Sequence, residues 1–145
     1  MDTVSEELLG MLGDHGRGLL ATLKKDGRPQ LSVVAYAYDP AEHVIRMSVT
    51  DGRAKTRNLR RDSRASFQVA PGAYQYVVAE GTASLSEVAT DPDDAACDEL
   101  VAVYRQIAGE HPDWAEYRAA MVADRRLVVR IAVERAYGIG ASTGS

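Results

Sequence analysis

The sequence predicts a mainly β fold: an antiparallel barrel, closed or nearly so, with helices inserted between its strands. Three observations carry this. About six segments have strand length and strand patterning. Several are joined by short turns, Asp26-Gly27 and Asp39-Pro40 among them, which suit hairpins. The helical segments are too few and too irregularly placed for the regular strand–helix alternation of a doubly wound parallel sheet. An antiparallel barrel fits better.

Taken in order, Ser5-Glu6-Glu7 caps a first helix with Leu8, Leu9 and Leu12 at helical spacing, ending near Gly13 or Gly16. Residues 17–24 read as a strand, 25–28 as a hairpin turn and 29–38 as the returning strand. After the Asp39-Pro40 turn, 43–49 is a third strand, completing a meander. A basic segment follows. Residues 64–70 read as a strand, Pro71-Gly72 as a turn, and 74–88 as a long strand with a bulge or bend at Gly81. Asp91-Pro92-Asp93-Asp94 opens a helix, with proline in its first position, that runs to Ala108. Its apolar face is Leu100, Val103, Tyr104 and Ile107. Pro112-Asp113-Trp114 opens another helix to Ala123. Residues 126–133 form a last strand, and 137–145 a small-residue tail.

The 145 residues suggest a single domain spanning 1–145. A formal net charge of −4 argues against general affinity for nucleic acid or an anionic membrane surface. The lone Cys97 suits a small buried side chain in a reducing compartment. The acidic N-terminus lacks the features of a secretory signal, and no apolar run approaches the ~20 residues of a membrane span, so a cytoplasmic location is expected. His15, His43 and His111 are scattered and match no zinc spacing, and no metal site is expected. No Gly-x-Ser-x-Gly elbow supports a nucleophilic serine. The glycines of residues 138–144 echo a dinucleotide loop, but no helix follows them.

The most informative stretch is Arg53-Ala-Lys55-Thr56-Arg57-Asn58-Leu59-Arg60-Arg61-Asp62-Ser63-Arg64. It holds six of the chain's 17 basic residues. On a helix starting near Ala54, Arg53, Arg57, Arg60, Arg61 and Arg64 fall within roughly 80° of one another, with Lys55 nearly opposite. Two readings stand side by side. The stripe is a solvated face paired to acidic neighbours, or the segment seats an anion. Arg53, Lys55 and Thr56 favour the second, because they lie where a helix start offers free N–H groups to a phosphate.

Gly18-Leu-Leu-Ala-Thr-Leu, Asp26-Gly-Arg-Pro-Gln-Leu-Ser32, Arg53-Ala-Lys-Thr-Arg-Asn-Leu59, Ala79-Glu-Gly-Thr-Ala83 and Tyr104-Arg-Gln-Ile-Ala-Gly-Glu110 resemble the pyridoxamine 5′-phosphate oxidase-like split β-barrel proteins. The nearest branch is the reductases that use coenzyme F420, an 8-hydroxy-5-deazaflavin. The likeness runs from about Leu19 to Gly138. It implies an FMN-binding split barrel-like fold of antiparallel Greek-key type and a homodimer with two cofactor clefts at its interface. It places Arg53, Lys55 and Thr56 at the cofactor phosphate. Gln30, Leu31, Ser32 and Val33, with Ser48, Val49 and Thr50, would line the deazaflavin, and Tyr74 and Tyr76 would close the cleft from the partner. Val33 stands where relatives often carry a polar residue. The activity implied is hydride transfer from F420H2 to a small unsaturated organic substrate. The alternatives within the resemblance are an FMN protein, whether an oxidase or a haem-degradation relative, and a non-catalytic F420 carrier. No catalytic acid stands out, and the roles of Arg57, Arg60, Arg61 and Arg64 stay open.

Overall fold

The computed structural model describes residues 3–140. Six strands close into one antiparallel barrel: β1 (His15–Leu23), β2 (Pro29–Asp39), β3 (Val44–Thr50), β4 (Arg64–Val69), β5 (Tyr76–Leu85) and β6 (Arg126–Ile139). Their order around the barrel is β1-β2-β3-β6-β5-β4. Four helices decorate it: α1 (Thr3–Leu9), α2 (Ala54–Arg61), α3 (Ala95–Ala108) and α4 (Trp114–Ala123).

Alternation along the strands sends Leu20, Tyr36, Ile45, Met47, Phe67, Val77, Leu127, Val129 and Ile131 into the barrel, each essentially without exposure. Leu8, Leu9 and Leu12, from α1 and the 3-10 turn after it, join this core. Tyr36 donates to the Leu12 carbonyl at 2.6 Å, and burial pushes its phenol up to about 12. Gly27, at φ 87°, makes the β1–β2 hairpin turn. Gly81 sits at a register shift between β5 and β6, where a Cβ would lie 2.0 Å from the Ala132 carbonyl oxygen. No larger residue fits that bulge.

The barrel is split between β2 and β3. The two strands pair only at Ala37–Arg46, Tyr38–Ile45 and Asp39–Val44. Beyond that, β2 stays with β1 as far as Pro29, and β3 stays with β6 as far as Thr50. The resulting gap is covered from outside by α3 and α4, which share a second core of Ala37, Cys97, Leu100, Val101, Val103, Tyr117 and Val128.

Several boundaries differ from the expectation. The first helix begins at Thr3, so Ser5 is its third residue and not its start. Pro92 precedes α3, whose cap is Asp94, accepting from the Cys97 N–H at 2.8 Å. The last strand runs to Ile139, six residues past Val133, because Arg135 to Ile139 continue the ladder with β5. The expected tail is therefore strand up to Ile139, and residues 141–145 lie outside the described residues. Helix α2 stops at Arg61, so Arg64 belongs to β4 and not to the helical stripe.

Candidate functional site

A cavity of about 530 Å³ opens where β2 and β3 part, within the usual range for a small-molecule site. Val33, Val34 and Ala35 of β2 form one side, and Ser48, Val49 and Thr50 of β3 another. Arg53 and Lys55 stand at the start of α2, and Arg126 comes from β6. Val103, Tyr104, Ile107 and Ala108 of α3, with Tyr117 and Met121 of α4, supply an apolar and aromatic wall. No carboxylate is among the described lining residues.

The basic segment divides by partner. Arg57 donates to the Gly52 carbonyl at 2.7 Å. Arg60 pairs with Asp51 at 2.6 Å. Arg61 donates to the Leu23 carbonyl and to Asn58 Oδ1, both at 2.8 Å. Arg64 pairs with Asp62 at 2.7 Å and holds that carboxyl down to about 2. Arg53 and Lys55 differ. Their side chains make no hydrogen bond or ion pair with any described residue. Burial, then the neighbouring Arg53 and Arg126, lower the Lys55 pKa. Arg53 is the N-cap of α2 and gives no side-chain cap, so the first amides of the helix stay open. Two unpaired cations thus stand beside open helix amides, and both kinds of group attract negative charge.

The strand end holds this arrangement in place. The Thr50 carbonyl accepts both the Arg53 N–H at 3.2 Å and the Thr56 hydroxyl at 2.8 Å. Asp51 ties Arg60 to Arg125, and those two hydrogen bonds, Arg125 first, lower its pKa. Asn58 bridges to Thr22 at 3.1 Å and to Gln30 at 3.0 Å, fixing α2 against β1 and β2.

Of the residues singled out in the sequence, Val33, Ser48, Val49, Thr50, Arg53 and Lys55 meet at the cavity. Thr56 does not face it: the residue is fully buried and its hydroxyl is given to Thr50. Gln30 lies at a shallower basic hollow on another side of α2, with Lys24, Lys25 and Arg57. Leu31 is exposed, Ser32 is half-buried, and neither lines the cavity. Tyr74 is 87% exposed in the loop before β5, and Tyr76 begins β5 opposite Ile139. Sequence reasoning missed the wall from α3 and α4. The apolar face of Leu100, Val103, Tyr104 and Ile107 is its signal: Leu100 and Val103 are buried, while Tyr104 and Ile107 are half-buried and face the cavity.

The family model for pyridoxamine 5′-phosphate oxidase matches residues 4–140. The chain belongs to the pyridoxamine 5′-phosphate oxidase family. It is 27% identical over 135 residues, 93% of this chain and 88% of the relative, to the F420H2-dependent biliverdin reductase of Mycobacterium tuberculosis (strain CDC 1551 / Oshkosh). Among solved structures it resembles a conserved hypothetical protein of Mycobacterium tuberculosis, with a TM-score of 0.71 and 25% identity, covering 97% of this chain and 85% of the other. A protein described as an F420 reductase shares the fold, with a TM-score of 0.65 and 24% identity over 89% of this chain and 94% of its own. No helix among the described residues is long and apolar enough to cross a membrane.

Proposed function

We propose that the protein is an F420H2-dependent reductase that passes a hydride to a small unsaturated organic molecule. One observation carries the reading. Arg53 and Lys55 stand unpaired at the open start of α2, at the cavity formed where the barrel splits. That arrangement suits a phosphodiester joined to a flat ring system. FMN also carries a phosphate, but the similarity to an F420H2-dependent enzyme supports the deazaflavin.

The residues present fit this cofactor. Arg53 and Lys55 would hold the phosphate, together with the amides at the start of α2, that of Thr56 included. Ser48, Val49 and Thr50 would flank the ring along β3. Val33 would meet it through apolar contact or backbone, with Gln30, Leu31 and Ser32 extending that side of β2. When bound, the reduced cofactor supplies a hydride, two electrons and one proton together. The chain's own part is to seat the anion, orient the ring and exclude water from the apolar wall.

A second copy of the chain would complete the cleft. Val33, Leu19, Gln68, Val78 and Tyr137 follow one another across β2, β1, β4, β5 and β6. Val33 is 72% exposed and Tyr137 51%. Exposed apolar side chains at both ends of the row, with Leu19 and Gln68 half-buried and Val78 buried between them, suit an interaction face, and Tyr74 and Tyr76 come just before Val78 in the chain.

Titration with F420 and with FMN tests the cofactor. Tight F420 binding is expected, weakened at least about a hundredfold in the Arg53→Ala/Lys55→Ala double variant, since each charged contact contributes about 1.5–3 kcal/mol. Unchanged affinity in that variant would remove the site assignment. A yellow purified protein with a flavin spectrum would select FMN. Tight F420 binding without reduction of any activated alkene in a broad panel would select a carrier.

A further inference from the structure

Tyr104 is held in place by rings and left free at its hydroxyl. Its ring centroid lies 4.9 Å from Tyr117, 5.3 Å from His111 and 5.7 Å from Trp114. Contacts from three aromatic neighbours leave the ring little rotational freedom. Two of its buried counterparts have acceptors, Tyr117 donating to the Leu100 carbonyl at 3.0 Å and Tyr36 to that of Leu12, whereas buried Tyr38, like Tyr104, has none among the described residues but does not line this cavity. The Tyr104 hydroxyl makes no hydrogen bond with any described residue, although the residue is half-buried and lines the cavity. A phenol in that position donates to whatever fills the space beside it.

The rest of that wall is Val103, Ile107, Ala108, Tyr117 and Met121, and the Tyr117 hydroxyl is already given to Leu100. It offers apolar and aromatic contact and carries no charge of its own, whereas the cations of the cavity come from α2 and β6. A ligand lying on this wall is therefore planar and apolar, with one acceptor atom for Tyr104. We propose that Tyr104 selects and protonates the acceptor substrate, and that this substrate is a planar conjugated carbonyl compound. Recognition stands on the geometry of the wall; the proton step rests on the reductase reading above. As hydride adds to the β-carbon, the C=C π pair becomes a new π bond between the α-carbon and the carbonyl carbon, and the carbonyl π pair moves to oxygen. That oxygen takes the Tyr104 proton, giving an enol. The phenolate regains its proton from water, and the enol tautomerises to the saturated ketone. The substrate thus gains one hydride, which the bound reduced cofactor would supply, and one proton, which Tyr104 relays from water.

Trp114 is the only tryptophan in the chain and lies beside Tyr104, so its fluorescence reports occupancy of the wall without any cofactor. The probes are chalcone, a flat enone, and trans-stilbene, of similar shape but without the carbonyl. The wild-type protein is expected to bind chalcone about five- to tenfold more tightly than stilbene, the value of one net hydrogen bond. Tyr104→Phe keeps the ring packing and is expected to bring chalcone to the stilbene affinity while leaving stilbene unchanged. Equal affinities in the wild type, no quenching by either probe, or a carbonyl preference that survives in Tyr104→Phe would each overturn the proposal. Loss of both probes in Tyr104→Phe would overturn it too, by making the hydroxyl structural. If F420 fails to bind the wild type, the reductase reading falls, and this titration still decides recognition.

Discussion

Lys55 is a burden to the folded chain unless an anion accompanies it. Burial, Arg53 and Arg126 all disfavour its ammonium, so its folded pKa lies below 10.5. For a lysine the sign is clear. The charged form destabilises the fold below the lowered value, and stability recovers as pH rises through that value towards 10.5. Lys55→Met is therefore expected to leave the Tm of the ligand-free protein unchanged or higher, while F420 affinity falls. Thermal melts paired with cofactor titrations check this, and a Tm loss of several degrees would make Lys55 structural. F420 affinity in the wild type should likewise decline as pH rises through the lowered Lys55 value, because the neutral amine no longer attracts a phosphate. Arg53 and Lys55 were legible in the sequence because a helix start after a strand end is a local feature. The direction of the Thr56 hydroxyl was not, because it depends on where the Thr50 carbonyl points once β3 has stopped.

At the scale of elements, the cavity depends on how firmly α3 is held against the barrel. Glu99 of α3 takes a bidentate contact from Arg130 of β6, at 2.5 and 2.7 Å, and a longer one from Arg46 of β3, at 3.3 Å. Gln106 adds hydrogen bonds to the Asp14 and Tyr38 carbonyls, at 2.7 and 2.9 Å. Glu99→Ala would leave two half-buried arginines without their carboxylate. It should cost about 2 kcal/mol in urea denaturation, below the range for fully buried pairs because these groups keep some solvent. Chalcone affinity should fall with it, since Tyr104 rides on the same helix; a change below about 0.5 kcal/mol would show that apolar packing alone holds α3. The existence and order of the elements could be read from turns and periodicity. Asp26-Gly27 and the Gly81 bulge are local chemistry. The extension of β6 to Ile139 was hidden because Glu134, Arg135 and Gly138 do not look like strand, and only the β5 ladder makes them so. The α3–α4 wall was hidden for a related reason: a helix face shows that it is apolar, and only the fold shows that it meets a gap between strands.

For the whole molecule, the split barrel leaves Val33 and Tyr137 exposed at the two ends of a row whose middle, Leu19, Gln68 and Val78, is half-buried or buried. From Val33 to Tyr137 the row crosses five strands, and Ile139 adds to its edge at 46% exposure. Val33 belongs both to this row and to the cavity. Dimerisation and cofactor binding should therefore be linked: whatever covers Val33 also closes the cavity. A dimer of the 15.7 kDa chain should appear at about 31 kDa in light scattering. Tyr137→Asp places a charge in the row without touching a described cavity residue, and burying an unpaired carboxylate is costly enough to dissociate a modest interface. The variant is expected to run as a monomer at micromolar concentration, with an unchanged far-UV spectrum and F420 affinity at least about tenfold weaker. The linkage works in both directions, so F420 added to the variant should draw part of it back into dimer. A wild-type monomer with full F420 affinity would refute this linkage, and a monomeric Tyr137→Asp with undiminished affinity would show that each chain builds its cleft alone.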